Sequence, residues 1–316
     1  MKPNHLLLGV VVMSLFWACV KTATPTPPIH DTVTVHKTDT LIKNDTLRKI
    51  DTLYKGLDTP NLKNGLVLYF PFNGSFADSS GNGNTVNVVG GAALDYDMHG
   101  YAQSAFNSNG SGARLTVNNN GSYKVDTAFS VSLDFMIRSN AYYTGGYNFN
   151  GLMCFLSIVD TSTGNGPTFD LGMTLPNLPQ YFAFGINGGN GVNDCGSSGA
   201  GNLSNISDTT HFTPQLGSWY NAICTFTKGT VAVYINGQLV STVKNPNSSK
   251  VVFCPNAKFV VGGWWNDPNS GSLNINGKMD EVRFYNRTLN AKEIAWLSRN
   301  FQITSTRVRA TPVTRQ

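Results

Sequence analysis

Gly65-Leu66-Val67-Leu68-Tyr69-Phe70-Pro71-Phe72 places apolar side chains at every second position: Leu66, Leu68, Phe70 and Phe72. A period of two is the spacing of a strand with one buried face. Short runs of the same kind follow at Ala102–Phe106, Arg114–Val117, Phe129–Arg138, Leu152–Val159, Thr168–Leu175 and Tyr181–Ile186. Further runs lie at Trp219–Thr227, Thr230–Ile235, Gln238–Val243, Lys258–Trp264 and Lys278–Tyr285, cut by Gly, Asn, Pro and Ser turns. Asn236-Gly237 joins two of them as a two-residue hairpin, since these residues tolerate the positive φ that a type I′ turn requires. The helix signal comes last. Asn290 precedes Glu293 by three positions, and Ile294, Trp296 and Leu297 follow, so a capped short helix should end near residue 298. Together these predict an all-β sandwich of two antiparallel sheets over residues 64–300, closed by a short C-terminal helix.

Composition narrows the function. Charged residues make up 13% of the chain, and the formal net charge is +5. Residues 1–63 hold eight Lys/Arg and five Asp, a balance of +3, and the tail 301–316 adds Arg307, Arg309 and Arg315. Residues 64–300 hold twelve Lys/Arg against thirteen Asp/Glu, a balance of −1. A body of that charge lacks the basic face that collects phosphates, so no nucleic-acid partner is expected. Only two glutamates occur, Glu281 and Glu293.

The N-terminus reads as an export signal over residues 1–18: Lys2, then an apolar run from Leu6 to Ala18, too short to span a bilayer comfortably. The run ends at Cys19 in the manner of a bacterial lipobox, where the cysteine becomes the acylated first residue. An ordinary signal peptide with a chance cysteine is the alternative. The expected location is the cell envelope, as an outer-membrane lipoprotein tethered only by that lipid. Residues 19–63 form an extended linker, opened by Thr24-Pro25-Thr26-Pro27-Pro28 and carrying Asp-Thr pairs at irregular intervals of eight, six, six and seven residues. The Asp-Thr-aliphatic triplets look like acceptor sites of a bacterial O-glycosylation system, which puts glycans on Thr32, Thr40, Thr46 and Thr52. A protein-protein or coiled-coil stalk is the other reading.

Four elements in order carry a family resemblance. They are Gly65 to Asn84 (Leu-Val-Leu-Tyr-Phe-Pro-Phe-Asn-Gly-Ser-Phe-Ala-Asp-Ser-Ser-Gly-Asn-Gly inside), Phe129-Ser-Val-Ser-Leu-Asp-Phe135, Trp219 leading to Val233-Tyr-Ile-Asn-Gly237, and Gly277-Lys-Met-Asp-Glu-Val-Arg-Phe-Tyr-Asn-Arg-Thr-Leu-Asn290. They resemble the LamG-like jelly-roll domains of the concanavalin A-like lectin/glucanase superfamily, with Phe135 where relatives often carry Trp. The resemblance implies a jelly-roll sandwich that hosts lectins, adhesion modules and glycosidases. It also implies a structural Ca²⁺, with Asp78, Asn82 and Asp280 as ligands and Asn84 in reserve. The alternative is that Asp78 forms an Asx turn and Asp280 pairs with Arg283.

The glucanase branch needs a Glu-x-Asp-x-x-Glu strand, and two glutamates twelve residues apart cannot form it. Asp95 and Asp97 are the other spacing available to a hydrolase, and equally a solvated turn. His99 and His211 have no catalytic setting. No enzyme is expected. Saccharides stack on aromatic faces and pair with planar amides and carboxylates, which singles out Trp264, Trp265, Asn266 and Asp267, with Tyr143 on a long neighbouring loop. A Trp that merely covers the sandwich edge is the alternative, and Trp219 and Trp296 read as core. Cys154, Cys195, Cys224 and Cys254 permit two disulfides in three connectivities. The expected function is noncatalytic binding of a carbohydrate or another cell-surface ligand, with a protein-binding adhesion module as the alternative.

The N-terminal reading is checked by labelling. Radioactive palmitate should enter the full chain in a Gram-negative host and be lost in Cys19→Ala; equal incorporation in both would contradict lipidation at that residue.

Overall fold

A computed structural model describes residues 59–110, 112–118, 125, 127–139, 152–160, 169–174, 182–186, 206–210, 212–244, 250–251, 257–263 and 274–301. They belong to one compact unit that starts at Thr59. The export signal, Cys19, the stalk threonines and the candidate ligand residues Tyr143, Trp264, Trp265, Asn266 and Asp267 lie outside these residues. So do Cys195 and Cys254.

In chain order the strands are β1 (Leu66–Phe70), β2 (Val86–Val89), β3 (Ala93–Asp95), β4 (Ala105–Asn109), β5 (Arg114–Val117), β6 (Ala128–Ile137), β7 (Leu152–Asp160) and β8 (Phe169–Thr174). Then come β9 (Phe182–Ile186), β10 (Ile206–Thr209), β11 (Trp219–Thr227), β12 (Thr230–Ile235), β13 (Gln238–Lys244), β14 (Ala257–Val261), β15 (Asn276–Tyr285) and the helix α1 (Ala291–Leu297). Eight strands form one sheet in the order β13-β12-β11-β6-β15-β4-β3, with β1 also paired to β15. Seven form the other, in the order β10-β9-β8-β7-β14-β5-β2. All the pairings are antiparallel, as a sandwich of hairpins and returning strands requires.

Alternation explains the core between the sheets. Phe129, Val131, Leu133 and Phe135 of β6 point inward and are fully buried. Phe129 meets Phe169 and Phe184 from the opposite sheet at ring distances of 5.4 and 6.4 Å, and Phe226 and Phe284 from its own at 5.5 and 5.7 Å. Phe135 fills its place against Phe155 at 4.7 Å and Phe182 at 5.5 Å. Cys224 is buried in the same core.

The helix forms as the capping signal requires. Asn290 Oδ1 accepts from the N–H groups of Lys292 and Glu293 at 2.9 and 3.1 Å, and Glu293 Oε2 accepts from Asn290 N at 2.8 Å. Its apolar side, Ile294 and Leu297 with Leu289, covers Ile223 and Tyr285 on the outer face of the larger sheet, joined by Leu62, Leu66 and Tyr234. Among the described residues no helix is long and apolar enough to cross a membrane.

The structure departs from the sequence reading at several points. Leu66 does not share the face of Leu68, Phe70 and Phe72, because the β1/β15 register shifts between Leu66 and Leu68 and sends Leu66 to the helix side. The run at Ala102–Phe106 begins as a strand only at Ala105, after Gln103 turns with φ 56°. β14 stops at Val261, before Trp264, where Gly262 turns with φ 88°. β2, β3 and β10 were not expected; they are short, and β2 and β3 carry little buried apolar surface. Trp219 and Trp296 are only partly buried, not core residues.

Phe129→Ala should lower unfolding stability by about 3–5 kcal/mol in denaturant titration. Val88→Ala, at a half-exposed site, should stay within about 0.5 kcal/mol. Equal effects would contradict this core assignment.

Candidate functional site

On the larger sheet, the inward Phe135, Met279 and Phe106 force their neighbours Asp134, Asp280 and Ala105 outward. Pairing then aligns Asn221, Asp134 and Asp280 in one row across β11, β6 and β15. Asn221 Nδ2 donates to Asp134 Oδ1 at 2.7 Å, while Asn221 Oδ1 has no hydrogen-bond partner. Asp280 Oδ1 accepts from Glu281 N at 2.7 Å. Burial, with the neighbouring carboxylates adding to it, pushes Asp134 up to about 7 and Asp280 to about 8. Facing carboxylates are tolerated here because protonation removes their repulsion. Alternation within Phe129–Phe135 already marks Asp134 as outward; that Asp280 lies beside it depends on a pairing 146 positions away in sequence.

The same face continues to the edge strand β3. Asp95 sits among Tyr96 N at 2.7 Å, Lys278 Nζ at 3.1 Å and the Arg138 guanidinium at 3.9 Å. Partial burial works against its charge, but the Tyr96 N–H and the Lys278 ammonium outweigh it and hold the carboxyl below its usual range. Lys278 Nζ also donates to Tyr96 O at 3.0 Å, and Arg138 donates to Asn107 Oδ1 at 2.7 Å and Asn276 Oδ1 at 3.3 Å. Asp97 Oδ1 closes the next turn by accepting from His99 N and Tyr101 N at 2.9 and 2.8 Å. Asp95 and Asp97 are therefore engaged in an ion-pair cluster and a turn. Tyr96 and Tyr101 remain 57% and 68% exposed. Neither was singled out in the sequence, where they stand in a Gly/Asp-containing loop with no aromatic run.

The turn at Asp78 takes the hydrogen-bonded form. Asp78 Oδ1 accepts from Tyr69 N at 2.9 Å and Ser80 N at 3.0 Å; Oδ2 accepts from Ser80 Oγ and Asn84 Nδ2, both at 2.7 Å. Asn82 Nδ2 donates to the carbonyls of Leu66 and Val67 at 2.9 and 3.0 Å. Donors, not lone pairs, converge on Asp78 Oδ2, so this arrangement does not fit a Ca²⁺ ion, which needs six to eight oxygen ligands. Asp280 belongs instead to the row with Asp134. Arg283 pairs with Glu281, not with Asp280.

Both glutamates are committed. Glu281 takes the Arg283 guanidinium and the Tyr69 hydroxyl, the latter at 3.0 and 3.1 Å. Glu293 takes Arg287 through two bonds of 2.8 and 2.5 Å besides capping α1. On the smaller sheet, Asp170 of β8 lies 1% exposed on the outward face, with Ser157 and Gly185 as its strand neighbours. Asp170 Oδ1 has no hydrogen-bond partner, and burial raises its carboxyl to about 7.

Residues 109–295 match a family described as the Concanavalin A-like lectin/glucanases superfamily, over more than half of the chain. No curated protein matches the chain. Among solved structures, domain 4 of AbnA, a GH43 extracellular arabinanase from Geobacillus stearothermophilus in complex with arabinotriose, is 20% identical with a TM-score of 0.50, covering 74% of this chain and 98% of that one. The binding domain of Paraclostridial Mosquitocidal Protein 1 is 14% identical with a TM-score of 0.53, covering 75% of this chain and 52% of that one. The receptor binding domain of botulinum neurotoxin mosaic serotype C/D is 14% identical at 0.52, with 76% and 52% covered. The chain thus spans about half the length of the two toxin domains, and these likenesses concern the fold.

Asp170 generates a pH dependence of stability. Its folded pKa, about 7, lies above the unfolded value of about 3.9, so its contribution is fully present below about pH 4 and is lost as pH rises through 7. Melting temperature should fall between pH 5 and 8, and Asp170→Asn should flatten that fall. A wild-type slope unchanged by the substitution would contradict the assignment.

Proposed function

The chain belongs to the concanavalin A-like lectin/glucanases superfamily, and on that premise we propose that it is an exported, noncatalytic carbohydrate-binding lipoprotein. In this reading Cys19 carries the lipid, the linker bearing Thr32, Thr40, Thr46 and Thr52 is glycosylated, and residues 64–300 present a binding surface away from the membrane. The observation that carries the noncatalytic half is the engagement of both glutamates, Glu281 by Tyr69 and Arg283 and Glu293 by Arg287. Glycoside hydrolysis needs one carboxylic acid and one carboxylate facing the same bond, and ion-paired glutamates on a strand bulge and a helix cap do not supply them. Asp134 and Asp280 are buried in a sheet face, where Asp134 accepts from Asn221 and Asp280 from the Glu281 N–H.

The binding half is supported by the family and by domain 4 of the arabinanase, which is solved with arabinotriose. That makes arabinotriose a natural first probe alongside a broad glycan array. The full chain should bind at least one immobilised glycan and release no reducing sugar from the corresponding polysaccharide. Binding to no glycan would favour a protein-binding adhesion module, and release of reducing sugar would overturn the noncatalytic reading.

A further inference from the structure

Just after the edge strand β3 of the larger sheet stand two exposed tyrosines that the core does not require. Tyr96 and Tyr101 are both more than half exposed, yet their backbone is pinned. Asp97 holds Tyr101 N, Asp97 N donates to Tyr101 O at 3.1 Å, and Lys278 holds Tyr96 O. Rings this exposed bury little surface in the fold; in a binding surface, their low rotamer entropy and flat faces are an advantage. Around Asp95, the residue before Tyr96, stand Arg138 and, bonded to it at 2.7 Å, Asn107, both planar groups. The charges nearly cancel, with Arg138 and Lys278 against Asp95 and Asp97. That balance offers donors and acceptors to hydroxyl groups without favouring an ionic ligand.

The register extends the surface. Trp219 and Lys278 both pair with Met136, so Trp219 lies in the same row, two strand spacings or about 10 Å from Lys278. Tyr220 points into the core against Phe135 at 5.7 Å, which turns Trp219 to the outer face. A ligand several sugar rings long, laid across β15 and β6, reaches from the tyrosines to this indole.

We infer that Tyr96, Tyr101, Arg138, Asn107 and Trp219 form a binding site for an uncharged oligosaccharide on the outer face of the eight-stranded sheet. The inference rests on the carbohydrate-binding reading and names residues other than Trp264 and Trp265 as the site.

The test is an array of neutral and acidic oligosaccharides probed with the full chain, followed by calorimetric titration of the strongest hit. Tyr96→Ala and Tyr101→Ala should each weaken binding about tenfold or more at unchanged melting temperature, as loss of one ring stacked on a sugar implies. Tyr101→Phe, which keeps the ring, should stay within about threefold of the wild type. If Trp264→Ala or Trp265→Ala abolishes binding while both Tyr→Ala variants keep it, this site is wrong and the carbohydrate reading stands. Hits confined to acidic sugars would overturn the ligand class. No binding by the wild type would remove both readings.

Discussion

Strand β15 pairs with β6 from Gly277 to Tyr285, and on its other edge with β4 up to Met279 and with β1 from Val282 onward. Between those two partners the backbone of β15 steps out of register with β6. The step is the bulge between Asp280 and Arg283, where Glu281 adopts φ 52°, a left-handed conformation that costs a non-glycine residue energy. Tyr69 of β1 holds it there. Its hydroxyl donates to Glu281, and the Arg283 guanidinium lies 4.1 Å from its ring centre while pairing with the same carboxylate. Desolvation raises the phenol pKa far above its ordinary value, so Tyr69 stays a hydrogen-bond donor. The first and last of the described strands are thus tied together at the point that sets the alignment of Lys278, Asp280 and Arg283.

That alignment divides the outer face by chemistry. Toward α1 it is apolar and covered by Leu289, Ile294 and Leu297. In the middle run the buried carboxyls of Asp134 and Asp280, favoured in the neutral form by desolvation. Toward β3 it becomes charge-paired, with Asp95 between Lys278 and Arg138. Both glutamates are spent in positions the fold depends on, one at the bulge and one at the helix cap.

Much of the fold was legible because alternation is a local property. The inward phenylalanines of β6, the Asn236-Gly237 hairpin, with φ 51° and 77°, and the Asn290–Glu293 capping box all follow from residues within a few positions of one another. What local pattern does not contain is register. It cannot place Asp134 beside Asp280, carry Trp219 to the row of Lys278, or flip Leu66 across a bulge. The same gap affected the site residues. The resemblance implies a cation at the oxygen-rich Asp78 turn, and local pattern does not say that Asn82 and Asn84 direct their amide donors to backbone carbonyls and to Asp78.

The claim that the ligand face is the outer surface of the eight-stranded sheet is tested most directly by hydrogen–deuterium exchange of the full chain with and without its strongest-binding oligosaccharide. Slowed exchange concentrated in Asp95–Tyr101 and at Asn276–Asp280 is the predicted result. Protection confined to segments outside that face, with these two unchanged, would contradict it.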